Sequence, residues 1–381
     1  MTYRSMIKFF VPLAVVVAMS FVSACKKKTE DVITIGEYGS MTGTEATFGI
    51  STHRGIEMAI EAVNAAGGVK GKKLKLISYD NQGKAEESVT AVTKLITKDN
   101  VDVIIGEVAS SRSKAAAPVA QRYQVPMISP SSTNPEVTAI GDYIFRVCFI
   151  DPFQGSVLAV FATENLKAKT AALLIDKKSD YSVGLADFFT KKFTALGGKI
   201  IVEQNYVGGD IDFKAQLTAI KAKNPDVIMV PGYYTEVGLM MKQAKDLGLK
   251  AVFIGGDGWD SPKLAEIAGP ALNGNYMSNH YTTDDKDPRV QEFIKKYQAK
   301  FNEVPDGLAA LGYDAALVLV DALNRAPDFS KKSIRDALAQ TKSFAGVTGV
   351  ITMDHNRNAS KPAVIVQAQD LVFRFVRKIE P

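Results

Sequence analysis

The chain has 381 residues, 46% of them apolar and 23% charged, with 46 Lys plus Arg against 41 Asp plus Glu and a net charge of +5. This is a globular composition, and basic residues dispersed among acids argue against a nucleic-acid surface. Two cysteines and three histidines, the latter isolated at His53, His280 and His355, leave no thiolate pair or cluster of the kind that holds zinc.

Arg4 and Lys8 precede an apolar run, 9–21, that is too short and too interrupted to span a bilayer, which is the anatomy of an export signal. The run ends in Val22, Ser23, Ala24 and Cys25, a pattern that resembles the lipobox of bacterial lipoproteins. In that family the peptide is cut before the cysteine, which is then acylated and anchors the protein. Residues 1–24 are therefore expected to be a signal peptide and 25–31 a lipidated tether. Losing Arg4 and Lys8 lowers the net charge from +5 to +3. With Cys25 acylated, Cys148 in "FRVCFI" has no disulfide partner and reads as a small buried side chain.

The remaining residues, about 350, exceed what one core serves, so two domains are expected. From Val32 strand and helix patterns alternate: "VITIGEYG", "GIEMAIEAVNAA" ended by Gly67 and Gly68, "KLKLISYD", "AEESVTAVTKLITKD", "VDVIIGEV", "SKAAAPVAQRYQ" and "PMISPSS". After Asp151 the rhythm restarts with "FQGSVLAVFATENL", "TAALLIDK", "SVGLADFFTKKFTALGG", "KIIVEQNYV", "FKAQLTAIKAKNP", "DVIMVPGYY", "VGLMMKQAKDLG" and "AVFIGGDG". Such alternation specifies parallel sheets covered on both faces, hence an α/β chain of two Rossmann-like halves in series. Helices follow in "PRVQEFIKKYQAKFNE", "GLAALGYDAALVLVDALNRA" and "KKSIRDALAQT", then a hairpin-like end containing "PAVIVQAQDLVFRFV". No low-complexity linker separates the halves, so strands are expected to cross between them directly.

Catalytic signatures are missing: there is no G-x-S-x-G elbow, and "GGVKGKK" has the wrong spacing for a phosphate loop. What remains is a set of loops at strand ends, where open parallel sheets place ligands. In "EVASSRSKAAA" Ser110 stands where a helix should begin, able to hold a carboxylate or simply to cap the helix. In "ISPSSTNPEVT" Thr133 lies on a loop stiffened by Pro130 and Pro135. Asp257 in "FIGGDGWDSP" could pair with a ligand ammonium or form a tight turn, and the single tryptophan, Trp259, reads as packing. Tyr181 and Tyr233 sit at further strand ends.

Taken together, these loops resemble the leucine/isoleucine/valine-binding proteins of branched-chain amino-acid ABC transporters, which have the type I periplasmic-binding-protein fold. The most specific stretches are "IGEYGSMTGTEATFG", "AGGVKGKKLKLISYDNQ", "MISPSSTNPE", "DFKAQLTAIKAKNPDVIMVPGYYTEVGLMMKQAKDLGLK" and "GLAALGYDAALVL". The resemblance implies two Rossmann-like lobes, 32–148 plus 280–354 and 149–279 plus 355–381, joined by three hinge crossings near 146–151, 276–280 and 353–358. It implies that Ser110 and Thr133 bind a ligand carboxylate, that the Ser131 carbonyl and Asp257 receive an ammonium, and that Phe48, Tyr181 and Tyr233 surround the side chain. It also implies a monomer without metal or cofactor that is not an enzyme. Such a protein works in the periplasm or on the outer face of the cell membrane and hands its ligand to a permease and an ATPase.

Three departures from the best-known members bear on the ligand. Asp257 stands where those have Glu, Phe48 where they have Trp, and Gln82 and Ala109 where they have the cysteines of a small-loop disulfide. The alternatives in view are a receptor for an aromatic acid, urea or a short amide, and a sensory ligand-binding protein that transports nothing.

Overall fold

The structure, a computed structural model, describes residues 1, 2 and 32–381; the rest of the expected export signal, Cys25 and the tether lie outside the described residues. The first run of alternating elements is β1 (Val32–Gly39), α1 (Ala46–Ala65), β2 (Lys73–Asp80), α2 (Ala85–Thr97), β3 (Val103–Ile105), α3 (Ser110–Arg122), β4 (Met127–Ser129), α4 (Glu136–Ala139) and β5 (Ile144–Arg146). Its strands form one parallel sheet in the order β2-β1-β3-β4-β5. Val103, Ile104 and Ile105 are wholly buried, the continuous apolar run of a strand covered on both faces.

The second run comprises α5 (Asp151–Val160), β6 (Thr170–Asp176), α6 (Asp180–Ala195), β7 (Lys199–Tyr206), α7 (Lys214–Lys223), β8 (Val227–Met229), α8 (Tyr234–Asp246), β9 (Val252–Gly255), α9 (Pro262–Ala268) and β10 (Tyr276–Asn279). Then come α10 (Pro288–Phe301), α11 (Gly307–Arg325), α12 (Lys331–Ala339), the short strands β11 (Phe344–Gly346), β12 (Gly349–Met353) and β13 (Ala359–Ser360), and the closing hairpin β14 (Ala363–Gln369) and β15 (Val372–Ile379). The second sheet runs β15-β14-β10-β9-β8-β6-β7, with β14 antiparallel to both of its neighbours, while β11, β12 and β13 form a small antiparallel sheet of their own.

Apart from the added hairpin, the two large sheets share one strand order, with the second strand outside the first and the third on its other side. The order therefore reverses between β1 and β3 and again between β6 and β8. In such sheets the crevice at the carboxyl ends beside the reversal is where ligands bind.

The chain passes between the sheets after β5, after β10 and between β13 and β14. The third passage falls at 361–362, a few residues beyond the 353–358 expected, because Ala359 and Ser360 still pair with Met353 and Thr352 of β12.

Helices α1 and α11 pack closely because each presents a glycine. A Cβ on Gly55 would sit 2.0 Å from the Ala309 carbonyl oxygen, and one on Gly312 would sit 2.4 Å from that of Thr52. That contact holds the N-terminal turns of both helices, with Phe48 and Leu308, against the crevice. Among the described residues α11 is the one helix long and apolar enough to cross a membrane, but its apolar residues are buried in this packing.

Candidate functional site

Phe48, Ser110, Ser131, Thr133, Tyr181, Tyr233 and Asp257, the residues singled out in the sequence, all line one cavity, together with Val108, Gly258 and Leu308. Its free space is about 10 Å³, room for about one water, so the walls stand nearly in contact.

One end is built of hydroxyls at the carboxyl ends of β3 and β4. Ser110 opens α3, which no side chain caps, and its Oγ accepts the Asn134 N–H at 3.2 Å. The Thr133 hydroxyl is buried and acts on the Asp151 carboxyl behind it. The loop carrying Thr133 is held from behind by Arg146, which is fully buried and donates to the Ser132 carbonyl, to the Asn134 carbonyl at 2.8 Å and to the Thr138 hydroxyl at 3.2 Å.

The other end is Asp257, in a single 3-10 turn after β9. Gln154 donates to its Oδ1 at 2.8 Å and Tyr181 at 3.1 Å, while His280 Nε2 lies 3.0 Å and the Ser131 hydroxyl 3.3 Å from Oδ2. The turn reaches this crowded place because it begins with glycine: a Cβ on Gly256 would lie 2.3 Å from the Tyr181 hydroxyl and 2.8 Å from Gln154 Nε2. Trp259 packs beneath, wholly buried, and donates from Nε1 to the Val230 carbonyl at 3.0 Å.

Between the two ends runs an aromatic wall. Phe48 of α1 meets Tyr233 edge to face with ring centroids 5.3 Å apart, and Tyr233 stacks on Tyr181 at 5.5 Å. Phe48 belongs to the first run of elements and both tyrosines to the second, so this wall spans the crevice. Burial pushes both phenols well above their ordinary value, and they stay neutral.

The carboxylates divide. Burial alone would raise Asp257, but the hydrogen bond from His280, the charge that ring carries when protonated, and the hydrogen bonds from Gln154 and Tyr181 outweigh it and hold the carboxyl below its ordinary value. Asp151, at the start of α5, is pushed up to about 8, chiefly by burial and further by the charge of Asp257. A hydrogen bond from Thr133 and the charge of Arg146 act against this without outweighing it. Burial lowers His280 to about 4 in spite of Asp257, so at neutral pH the ring is uncharged.

Reading the sequence missed Gln154, His280 and Asp151. His280 was set aside as an isolated histidine, although it directly follows "YMSN" at an expected crossing. Gln154 and Asp151 carry no motif and meet Asp257 only in three dimensions. Cys148 is buried and unpaired, as its neighbours suggested, with its thiol pushed up to about 12 by burial.

Residues 32–371 match the family described as Periplasmic binding protein. The leucine-, isoleucine-, valine-, threonine- and alanine-binding protein of Pseudomonas aeruginosa is 33% identical over 326 residues, covering 85% of this chain and 86% of that protein. The crystal structure of the leucine-binding protein LivK of Thermotoga maritima superposes with a TM-score of 0.88 at 40% identity, over 92% of this chain and 99% of the other. A solute-binding protein of an ABC transporter from Rhodopseudomonas palustris, solved with 3,4-dihydroxybenzoic acid, is more distant, at 26% identity and a TM-score of 0.84 over 92% of this chain and 98% of its own. Paired sheets of one strand order, three crossings and this likeness along the described chain agree: the protein belongs to the leucine/isoleucine/valine-binding protein family of periplasmic binding proteins and has their type I fold.

Proposed function

We propose that the protein is the extracytoplasmic substrate-binding component of an ABC importer, capturing an aliphatic amino acid, branched-chain foremost, and delivering it to a permease and its ATPase. One observation carries the reading. Across a small aromatic-walled cavity, an ionised carboxylate, Asp257, faces two buried hydroxyls, Thr133 and Ser110. A zwitterion answers both ends, its ammonium meeting Asp257 and the Ser131 carbonyl and its carboxylate meeting Thr133 and Ser110. An unpaired buried charge costs several kcal/mol, so both ends of the ligand must be matched.

In this reading the lobes, 32–148 with 280–360 and 149–279 with 361–381, close on the ligand by hinge motion, for which periplasmic binding proteins are a standing example. Ser110, Ser131, Thr133 and Phe48 hold the ligand first, and Tyr181, Tyr233 and Asp257 arrive as the cleft shuts. Nothing is transformed, and the protein acts as a monomeric receptor tethered by an acylated Cys25. Micromolar capture needs only about −8 kcal/mol. One methylene in an apolar pocket is worth only about 1–3 kcal/mol, so several aliphatic amino acids bind.

The aromatic acid bound to the Rhodopseudomonas palustris protein suggests a second reading, a receptor for acids without an amine. Such a ligand would leave Asp257 uncompensated. Calorimetric titration of the purified protein decides between them: leucine, isoleucine or valine should bind, while leucinamide and benzoate should not. Binding of benzoate without any amino acid would overturn the first reading.

A further inference from the structure

Two of the donors that converge on Asp257 come from residues that do not line the cavity, Gln154 and His280. Gln154 lies in the first turn of α5, wholly buried, its Nε2 shared between Asp257 Oδ1 at 2.8 Å and the Ser278 hydroxyl at 3.0 Å. His280 follows β10 where the chain leaves the second sheet, and its ring stacks on Phe149 of the first crossing with centroids 3.6 Å apart. An ionised carboxylate only accepts, so the His280 Nε2 facing Asp257 carries the hydrogen and Nδ1 is a bare lone pair. Nδ1 indeed has no partner. The cluster therefore supplies neutral donors around one negative charge.

The neighbouring aspartate shows what these donors do. Asp151 is as deeply buried as Asp257, and Asp257 raises it further; one hydroxyl, that of Thr133, and the charge of Arg146 act against this without outweighing it, and it takes up a proton well into the neutral range. Asp257 is held the other way. The remaining ionisable groups around Asp257 do not account for the difference. Tyr181 on α6 and Cys148 after β5 are neutral, and Asp260, past the turn, adds negative charge when ionised. Lys361, after β13, disfavours a proton on His280.

We propose that His280 and Gln154 are positioning residues that keep Asp257 an anion in the closed cavity, and that this standing charge makes the site select ligands bearing an ammonium over acids that lack one. The selectivity half of the inference rests on the amino-acid reading of the cavity. The ionisation half does not.

The test compares His280→Leu, His280→Gln, whose amide restores a donor, and Gln154→Leu, which serves should the histidine variants fail to fold. The Asp257 carboxyl is titrated by carbon NMR in the ligand-free proteins, and affinities for leucine and its des-amino analogue, 4-methylpentanoate, are measured from pH 5 to 8. The expected result is an Asp257 titration moved upward by roughly one to two pH units in His280→Leu and Gln154→Leu and restored in His280→Gln. The leucine-to-analogue affinity ratio should fall several-fold between pH 8 and pH 5 in the leucine variants, as the moved carboxyl takes up a proton, while in the wild type and the glutamine variant it stays nearly level. An unmoved Asp257 titration overturns the inference, as does an equal loss of both ligands at every pH, which marks a structural role only. If the wild type binds no amino acid, the functional reading falls, and the carboxyl titration alone still decides what His280 and Gln154 do.

Discussion

The backbone N–H of Gly307, at the start of α11, donates to Asp260 Oδ2 at 2.6 Å. The contact joins the loop after β9 to a helix packed on α1, so a carboxylate from one sheet caps a helix associated with the other. The side chain of Asp306, the N-cap of that helix, accepts from Ala309 N–H at 2.8 Å and from the Ser51 hydroxyl at 2.6 Å. Burial raises Asp260 to about 6, and burial followed by the charge of Asp260 raises Asp306 to about 7.

A pH dependence of closure follows. If the lobes part as proposed, both carboxyls, raised in this structure, relax toward ordinary values, so closure takes up protons. The stabilisation is present below the ordinary carboxyl range and is lost as pH rises through about 6 to 7. Ligand affinity measured by calorimetry should therefore weaken several-fold to about tenfold from pH 5 to pH 8. Asp260→Asn should flatten that profile, and an equally steep profile in the variant would refute the account.

Thr133→Val should separate affinity from stability. The hydroxyl acts only on the Asp151 carboxyl, which burial keeps protonated to about 8, so replacing it with a methyl group of similar shape costs the ligand-free protein at most one weak hydrogen bond. The denaturation midpoint should stay level or rise slightly. Amino-acid affinity should fall about tenfold or more, the loss of a hydrogen bond to a charged carboxylate at about 1.5–3 kcal/mol.

Asp151→Asn should stabilise the fold at alkaline pH. The folded protein holds the Asp151 proton up to about 8, whereas the unfolded chain releases it in the ordinary carboxyl range. Stability from this group is thus full below that range and declines as pH rises toward about 8. Urea midpoints at pH 5 and pH 8 should converge in the variant relative to the wild type, with the variant the more stable at pH 8.

Cys25→Ala should release the protein from the membrane. If Cys25 carries the acyl chains, the variant will move from the membrane pellet to the soluble fraction and lose incorporation of labelled fatty acid, with ligand affinity unchanged. Membrane retention in the variant would dismiss the anchor.

Much of the fold was legible because the strands are covered on both faces. Apolar runs such as "VDVIIG" and "DVIMV", each followed by an amphipathic segment, can satisfy burial only as parallel strands under helices. Ser110, Thr133, Tyr181, Tyr233 and Asp257 were legible for a related reason, since they follow strand ends where parallel sheets expose their loops, while Phe48 and Ser131 came from the resemblance alone. The last hinge segment was placed too early because two residues of extended chain, Ala359 and Ser360, carry no pattern that says which sheet they will join.

Local periodicity and turn chemistry suffice for the alternation, the strand ends and the polar side chains that stand at them. The charge of those groups comes from packing. Asp151 and Asp257 are the same residue type, similarly buried, and they hold their protons in opposite ways because Gln154 and His280, from separate stretches of chain, reach one and not the other. A carboxyl's ionisation in a closed cavity depends on which donors converge on it, and convergence is a property of the packed chain.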